Sequence, residues 1–240
     1  MYDTQVHTTL AVVHTFADGD RDFSFYRNPG ADMMLKVEEV NAQIIKDSGI
    51  FHFGSLSMTD EPCRSAHLHA LEVAEKAGVL RSYDPNLRPP LWNTLEEAKE
   101  QILWSLQQAD VVKISDDEVD FLWGCTPEEG ADKLLKEYGV SLAMVTLGPK
   151  GCYLKTANAV CMAPGPKVSP IDTTGAGDIF GGSAVSRLLD LNKDIADLTA
   201  EDLAFIGCFA TTAASLSTEV SGGIPSIQDK AVVLERMKSL

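Results

Sequence analysis

The sequence predicts an α/β protein built on a mostly parallel sheet with helices on both faces, preceded by a short β segment. Three observations carry this expectation. From residue 33 onward, short β-branched and aromatic runs alternate with longer amphipathic stretches, the pattern of βαβ units. A helix stop signal, Gly78, stands directly before the next apolar run, as in a helix that hands over to a strand. The first thirty residues follow a different rule, with two β-rich stretches around Asp18-Gly19-Asp20, a turn sequence that signals a hairpin.

Taken in order, residues 6–14 and 22–27 read as the hairpin strands. A helix is expected near 33–46, then a strand over Ile50–Gly54 and a long helix near 60–77 that ends at Gly78. The strand Val79–Asp84, a helix near 94–109 and the strand Val111–Ile114 follow, with short helices after them. Leu142–Thr146 reads as a strand, 151–155 and 159–163 as a second hairpin, and 177–190, 200–217 and 227–238 as closing helices. There is no internal repeat and no low-complexity linker.

Composition narrows the function classes. The 240 residues carry 35 Asp and Glu against 20 Lys and Arg, a net charge of −15, and 45% are hydrophobic. That excludes a largely disordered chain. It also excludes a nucleic-acid binder that works by bulk charge, so any anionic ligand needs a small, specific pocket. No apolar run approaches the ~18 residues of a membrane span. The N-terminus, Met1-Tyr-Asp-Thr-Gln-Val-His7, lacks the pattern of a signal peptide. Five scattered cysteines without a C-x-x-C pair suggest reduced thiols. The expectation is a cytoplasmic protein with neither nucleic acid nor membrane as partner.

In parallel sheets ligands bind beyond the carboxyl ends of the strands. Those positions here read Gly54-Ser-Leu-Ser57, Asp84-Pro-Asn-Leu-Arg88, Lys113-Ile-Ser-Asp-Asp-Glu118, Thr146-Leu-Gly-Pro-Lys-Gly151 and Asp172-Thr-Thr-Gly-Ala-Gly-Asp178. The last runs into the apolar helix pattern Ile179-Phe-Gly-Gly-Ser-Ala-Val. Gly175 and Gly177 at a helix start let bare N–H groups approach an anion that the helix dipole also favours. A carboxylate at Asp178, in the first turn, is placed to take a proton from an attacking hydroxyl. The plainer alternative is a helix capped by Thr173 or Thr174, with Asp178 complementing the dipole. The motif is neither a Walker loop nor a Rossmann fingerprint.

What these stretches resemble, in order and spacing, is the ribokinase-like (PfkB) family of carbohydrate kinases, and within it the bacterial fructokinases. Asp18-Gly-Asp-Arg-Asp-Phe-Ser-Phe-Tyr-Arg-Asn-Pro-Gly-Ala-Asp32 and Phe53-Gly-Ser-Leu-Ser57 share in the resemblance, which spans the chain. It implies a three-layer αβα sandwich with a mostly parallel central sheet, 32–240, and a small partial β lid, 1–31. It further implies ATP-dependent phosphorylation of fructose or a related ketose, with Asp178 as catalytic base and the amides of Gly175, Ala176 and Gly177 as anion hole. Glu118 resembles the acidic residue that orders Mg²⁺ through water, with Ser115 where the family's N-x-x-E motif has Asn. Thr146, Gly148 and Gly151 correspond to the nucleotide loop, and Arg27 on the lid to a sugar contact; Lys113, just beyond a strand end, is where so acidic a protein has to place positive charge against ATP. Arg88, just past a strand end, is assigned to substrate. Asp172 and Thr174, with the loop Ser217–Gly223, resemble a K⁺ site.

Each assignment has a structural alternative. Ser115–Glu118 reads equally as an N-cap with an acidic first turn, Leu147–Gly151 as a β-turn, Arg27 as an edge-strand charge and Arg88 or Lys113 as a surface ion pair. The family's first strand, with its sugar-binding Asp, and its Gly-Gly/Asn motif have no counterpart here, so about a quarter of the usual chain is expected to be missing on the N-terminal side. The apolar edges this leaves predict a homo-oligomer, a dimer with the Val6–Val13 strand as contact. Two further readings stand beside the fructokinase: a non-catalytic nucleotide-binding remnant, and a kinase of 2-keto-3-deoxygluconate, whose carboxylate Tyr26 and Arg27 would suit.

Overall fold

Each apolar run read as a strand forms one in the computed structural model, which describes residues 5–15 and 21–238. The chain divides into two units, Met1–Ala109 and Asp110–Leu240.

In the first unit, β1 (Leu10–Thr15) and β2 (Arg21–Tyr26) pair antiparallel, Leu10 opposite Tyr26. The hairpin is as expected; its Asp18-Gly19-Asp20 turn lies outside the described residues. The single helix expected near 33–46 is not formed. Two one-turn 3₁₀ segments, Ala31–Met33 and Val37–Glu39, precede α1 (Ala42–Lys46). Asn41 is the cause: its backbone is extended, and its side chain accepts from the Gln43 and Ile44 amides, so it starts a helix rather than continuing one. β3 (Ile50–Gly54) and β4 (Leu80–Asp84) are parallel, with Gly54 opposite Asp84. Between them α2 (Cys63–Ala77) begins after Pro62 and ends on Gly78 at φ 68°, the left-handed stop that glycine permits. α3 (Leu95–Leu106) is capped by Thr94. Ala70, Val73 and Ala74 of α2 pack with Ile45 and Val79, and Met58 with Trp92 and Ala98.

In the second unit, β5 (Val111–Ser115) and β6 (Leu142–Thr146) are parallel, with Ser115 opposite Thr146. β7 (Gly151–Lys155) and β8 (Val160–Pro164) continue antiparallel in sequence order. Val111, Val112, Ile114, Leu142, Ala143 and Val145 are fully buried, the signature of strands covered on both faces. The helices are α4 (Asp116–Trp123), α5 (Pro127–Tyr138), α6 (Ala176–Leu191), α7 (Ala200–Ser217) and α8 (Lys230–Met237). α7 lies close on the sheet because Gly207 has no side chain: a Cβ there would stand 2.9 Å from the Ala163 Cβ. Among the described residues no helix is long and apolar enough to cross a membrane.

Candidate active site

In the second unit the chemistry gathers at the carboxyl ends of β5 and β6 and at the start of α6. Ser115 ends β5 and caps α4. Its hydroxyl accepts from the Glu118 amide at 3.2 Å, and the Glu118 carboxylate accepts from the Ser115 amide at 2.9 Å and from its hydroxyl at 3.0 Å. The capping alternative is therefore correct, and it also fixes the Glu118 carboxylate, which is buried, at the strand end. Asp116 and Asp117 precede it in the same first turn.

Thr146 ends β6, and its hydroxyl donates to the Ile114 carbonyl at 3.4 Å. The loop that follows is a glycine-dependent turn. Gly148 and Gly151 have φ of 55° and 107°, and a Cβ on Gly151 would meet the Ala163 carbonyl oxygen at 2.0 Å. The β-turn reading is right for the backbone, and the turn keeps bare main chain beside Thr146.

Gly175 caps α6 in the left-handed region, φ 78°, with no side-chain cap; neither Thr173 nor Thr174 plays that part. The Ala176 amide donates to the Thr173 carbonyl at 3.2 Å. A Cβ on Gly175 would come within 3.2 Å of the Gly223 Cα, so two stretches of main chain meet there without side chains between them. Asp172 organises this meeting. Its carboxylate accepts from the Gly222 amide (2.8 Å), the Thr174 amide (2.9 Å) and the Ser221 hydroxyl (3.3 Å). These donors, the Gly222 amide foremost and then Thr174, hold it down at about 2, ionised throughout the physiological range. Asp178 lies in the first turn of α6, exposed.

Lys113, buried in β5, ends against the same helix start: a Cβ on Gly177 would stand 3.2 Å from its ammonium. The first amides of any α-helix lack intrahelical partners; here they carry the dipole's positive end next to a lysine. A cavity of about 420 Å³ opens beside Gly175 and Asp178 and runs between α6, α7 and α8 past Gly182, Phe209, Ile224 and Val233. Sequence reasoning missed the cavity. Gly182, where an added Cβ would meet nothing within 4 Å, lies in its wall.

In the first unit, Arg27 is not a surface charge. With its side chain 6% exposed, its Nε donates to Asp32 (2.7 Å), Nη1 to the Thr59 hydroxyl (2.9 Å) and Nη2 to the Leu56 carbonyl (3.1 Å). Burial pushes the Asp32 carboxyl up, but the hydrogen bonds from Thr9 and Arg27 and the Arg27 charge outweigh it and hold it below its usual value. Arg88 follows a turn in which the Asp84 carboxylate accepts from the Asn86 amide at 3.1 Å, and its Nη1 donates to the Leu87 carbonyl at 3.0 Å.

Among the described residues no cluster of three His, Cys, Asp or Glu side chains forms a metal cage. One buried carboxylate at a strand end, Glu118, suits a Mg²⁺ that keeps most of its water and shares a substrate's phosphates. The helix start, the adjacent lysine and the exposed carboxylate can together bind a phosphorylated ligand and accept a proton beside it.

Comparison with known proteins points the same way. The sequence profile of the pfkB family carbohydrate kinases matches residues 1–230. Fructokinase-1 of Zea mays is 43% identical over 238 residues, 98% of this chain and 72% of the maize protein. Among solved structures, fructokinase with bound ATP from Xylella fastidiosa superposes with a TM-score of 0.85 at 28% identity, over 99% of this chain and 75% of that one. Fructokinase from Vibrio cholerae O395 in a fructose-, ADP- and calcium-bound form gives 0.82 at 29% identity, over 95% and 73%. The ribokinase-like α/β fold expected from the sequence is thus the fold of the chain.

Proposed function

This chain belongs to the pfkB family of carbohydrate kinases, and from that membership and the site's geometry we propose that it is an ATP-dependent fructokinase, D-fructose + ATP → fructose 6-phosphate + ADP. The observation that carries the reading is the α6 start, where an ionisable carboxylate, Asp178, stands one turn into a glycine-capped helix beside the Lys113 ammonium. Asp178 takes the proton of the 6-hydroxyl as its oxygen bonds to the γ-phosphorus and the bond to the β-phosphate oxygen breaks. The amides of Gly175, Ala176 and Gly177, with the helix dipole and Lys113, take up the charge on the transferring group.

Thr146, Gly148 and Gly151 form the nucleotide loop. Its bare backbone, forced by two left-handed glycines, supports that role. Arg27 and Arg88 bind substrate, and the 1–31 segment acts as a lid on the core, 32–240, limiting ATP hydrolysis. Glu118 holds Mg²⁺ through water, and the ion when bound neutralises phosphate charge. Asp172 and Thr174 belong to a K⁺ site; the hydrogen bonds that Asp172 accepts from the Ser221–Gly222 loop support this.

The five free thiols suit a cytoplasmic setting. Leu10, Val12, Val13 and Tyr26, all exposed on the hairpin, favour a homodimer through that edge. A coupled ADP-release assay with Mg-ATP and a panel of ketoses tests the activity. Fructose-dependent ADP release is the expected result; release that is indifferent to every sugar overturns it.

A further inference from the structure

His67 takes no part in the chemistry above, yet it is the most constrained histidine in the first unit. It lies on α2, 7% exposed, with its ring edge-on to Phe53 at 5.4 Å. Burial pushes it down to about 4, so the ring is neutral at physiological pH. Its Nδ1 is hydrogen-bonded to the Ser57 hydroxyl at 2.5 Å. Whichever of the two carries that proton, one Nδ1–Oγ hydrogen bond forms. Among the described residues Nε2 meets no partner. A buried imidazole with one polar contact is a cost the fold bears, which makes that contact the thing to explain.

Ser57 is the middle of a short strap, Gly54–Thr59, that leaves the end of β3 and includes one 3₁₀ turn, Leu56–Met58. Two of the strap's polar groups meet Arg27. The Leu56 carbonyl accepts from Nη2, the Thr59 hydroxyl accepts from Nη1, and that hydroxyl in turn donates to the Leu56 carbonyl at 3.0 Å. The residues on either side of Ser57 thus fix both terminal nitrogens of the guanidinium. α2 grips the same strap at its far end, where Arg64 donates to the Met58 carbonyl at 2.6 Å and to the Thr59 carbonyl at 3.1 Å. That second grip holds only the strap's carboxyl end, Met58 and Thr59. The Ser57 hydroxyl also donates to the Gly54 carbonyl at 3.3 Å, a contact within the strap itself; His67 supplies the shorter bond, which ties the strap's centre to α2 between the two groups that orient Arg27.

We propose that His67, acting through Ser57, is a positioning residue that sets the orientation of the Arg27 guanidinium and thereby the enzyme's affinity for its sugar. The proposal rests on the reading above, in which Arg27 meets the sugar. A hydrogen-bonded chain of this kind transmits position because each member has a single low-energy arrangement.

The test uses the whole chain with three substitutions: Ser57→Ala, His67→Leu and His67→Asn. Leucine keeps apolar volume without a polar atom; asparagine restores a donor and an acceptor in reach of Ser57. Ser57→Ala and His67→Leu should each raise KM for fructose roughly ten-fold while kcat and KM for ATP stay within about two-fold. His67→Asn should recover most of the loss. Combining His67→Leu with Arg27→Ala should add nothing to Arg27→Ala alone. An unchanged KM in folded His67→Leu, or a fully additive double variant, overturns the proposal.

A second readout is independent of turnover. The Arg27 Nε–H resonance, protected from solvent exchange in the wild type, should exchange faster in His67→Leu and regain protection in His67→Asn. If the wild type phosphorylates no sugar, the functional reading fails and this resonance alone decides the relay: unchanged protection in His67→Leu refutes it.

Discussion

The Lys113 ammonium ends where the side chain of residue 177 would begin: a Cβ on Gly177 would lie 3.2 Å from it. The sequence separates the two by 64 positions (177 − 113). The contact joins the end of a buried strand to the positive end of a helix, and it explains why glycine occupies this place in the first turn of α6. Both the ammonium and the helix start favour negative charge nearby.

Gly177→Ala separates stability from function. Alanine inside a helix is favoured over glycine by roughly 0.5–1 kcal/mol, so the urea midpoint should hold or rise. The added methyl displaces the lysine by a few tenths of an ångström, and turnover should fall on the order of ten-fold or more. Urea unfolding and steady-state kinetics on the same preparation check both halves.

Glu118→Gln separates the cap from the metal. The amide oxygen can still accept from the Ser115 amide, now at 2.9 Å from the carboxylate, so the helix start should survive. With the charge gone, the Mg²⁺ concentration giving half-maximal turnover should rise roughly ten-fold, and a chelator should abolish turnover in both proteins. A Mg²⁺ titration of turnover at saturating fructose reads the difference.

His67 gives the fold a pH dependence of known sign. Its folded value is pushed down from 6.5 to about 4 by burial, so the unfolded chain binds the proton more readily. The stability this group contributes is intact above pH 6.5 and is lost as the pH falls towards 4. Between pH 7.5 and pH 5 the wild type should lose about 2 kcal/mol more unfolding free energy than His67→Asn, measured by urea denaturation at both pH values.

Most of the strands and the α6 motif were legible because local signals coincide with tertiary ones. Ile50–Gly54 and Leu142–Thr146 form with the bounds their apolar runs predict, and Gly78 stops α2 where a left-handed residue is needed. The 33–46 stretch was misread because its apolar residues suit a helix, while Asn41 offers the backbone a competing set of hydrogen bonds that periodicity cannot register. The Lys113–Gly177 contact and the Ser57–His67 bond escaped for another reason: each joins residues on different elements, and neither leaves a spacing in the sequence. Asp172 was read as a cation ligand, and its bonds to Gly222 and Ser221 depend on a loop whose path no local pattern encodes.

In the proposed reaction Asp178, in the first turn of α6, is the base for phosphoryl transfer. Asp178→Asn keeps the shape of the side chain and removes its basicity. Single-turnover transfer from Mg-ATP to fructose should slow by ~10²–10⁴-fold, with ATP affinity, read by equilibrium binding, within about three-fold of the wild type. Transfer at the wild-type rate in a folded, ATP-binding Asp178→Asn protein would exclude Asp178 as the base.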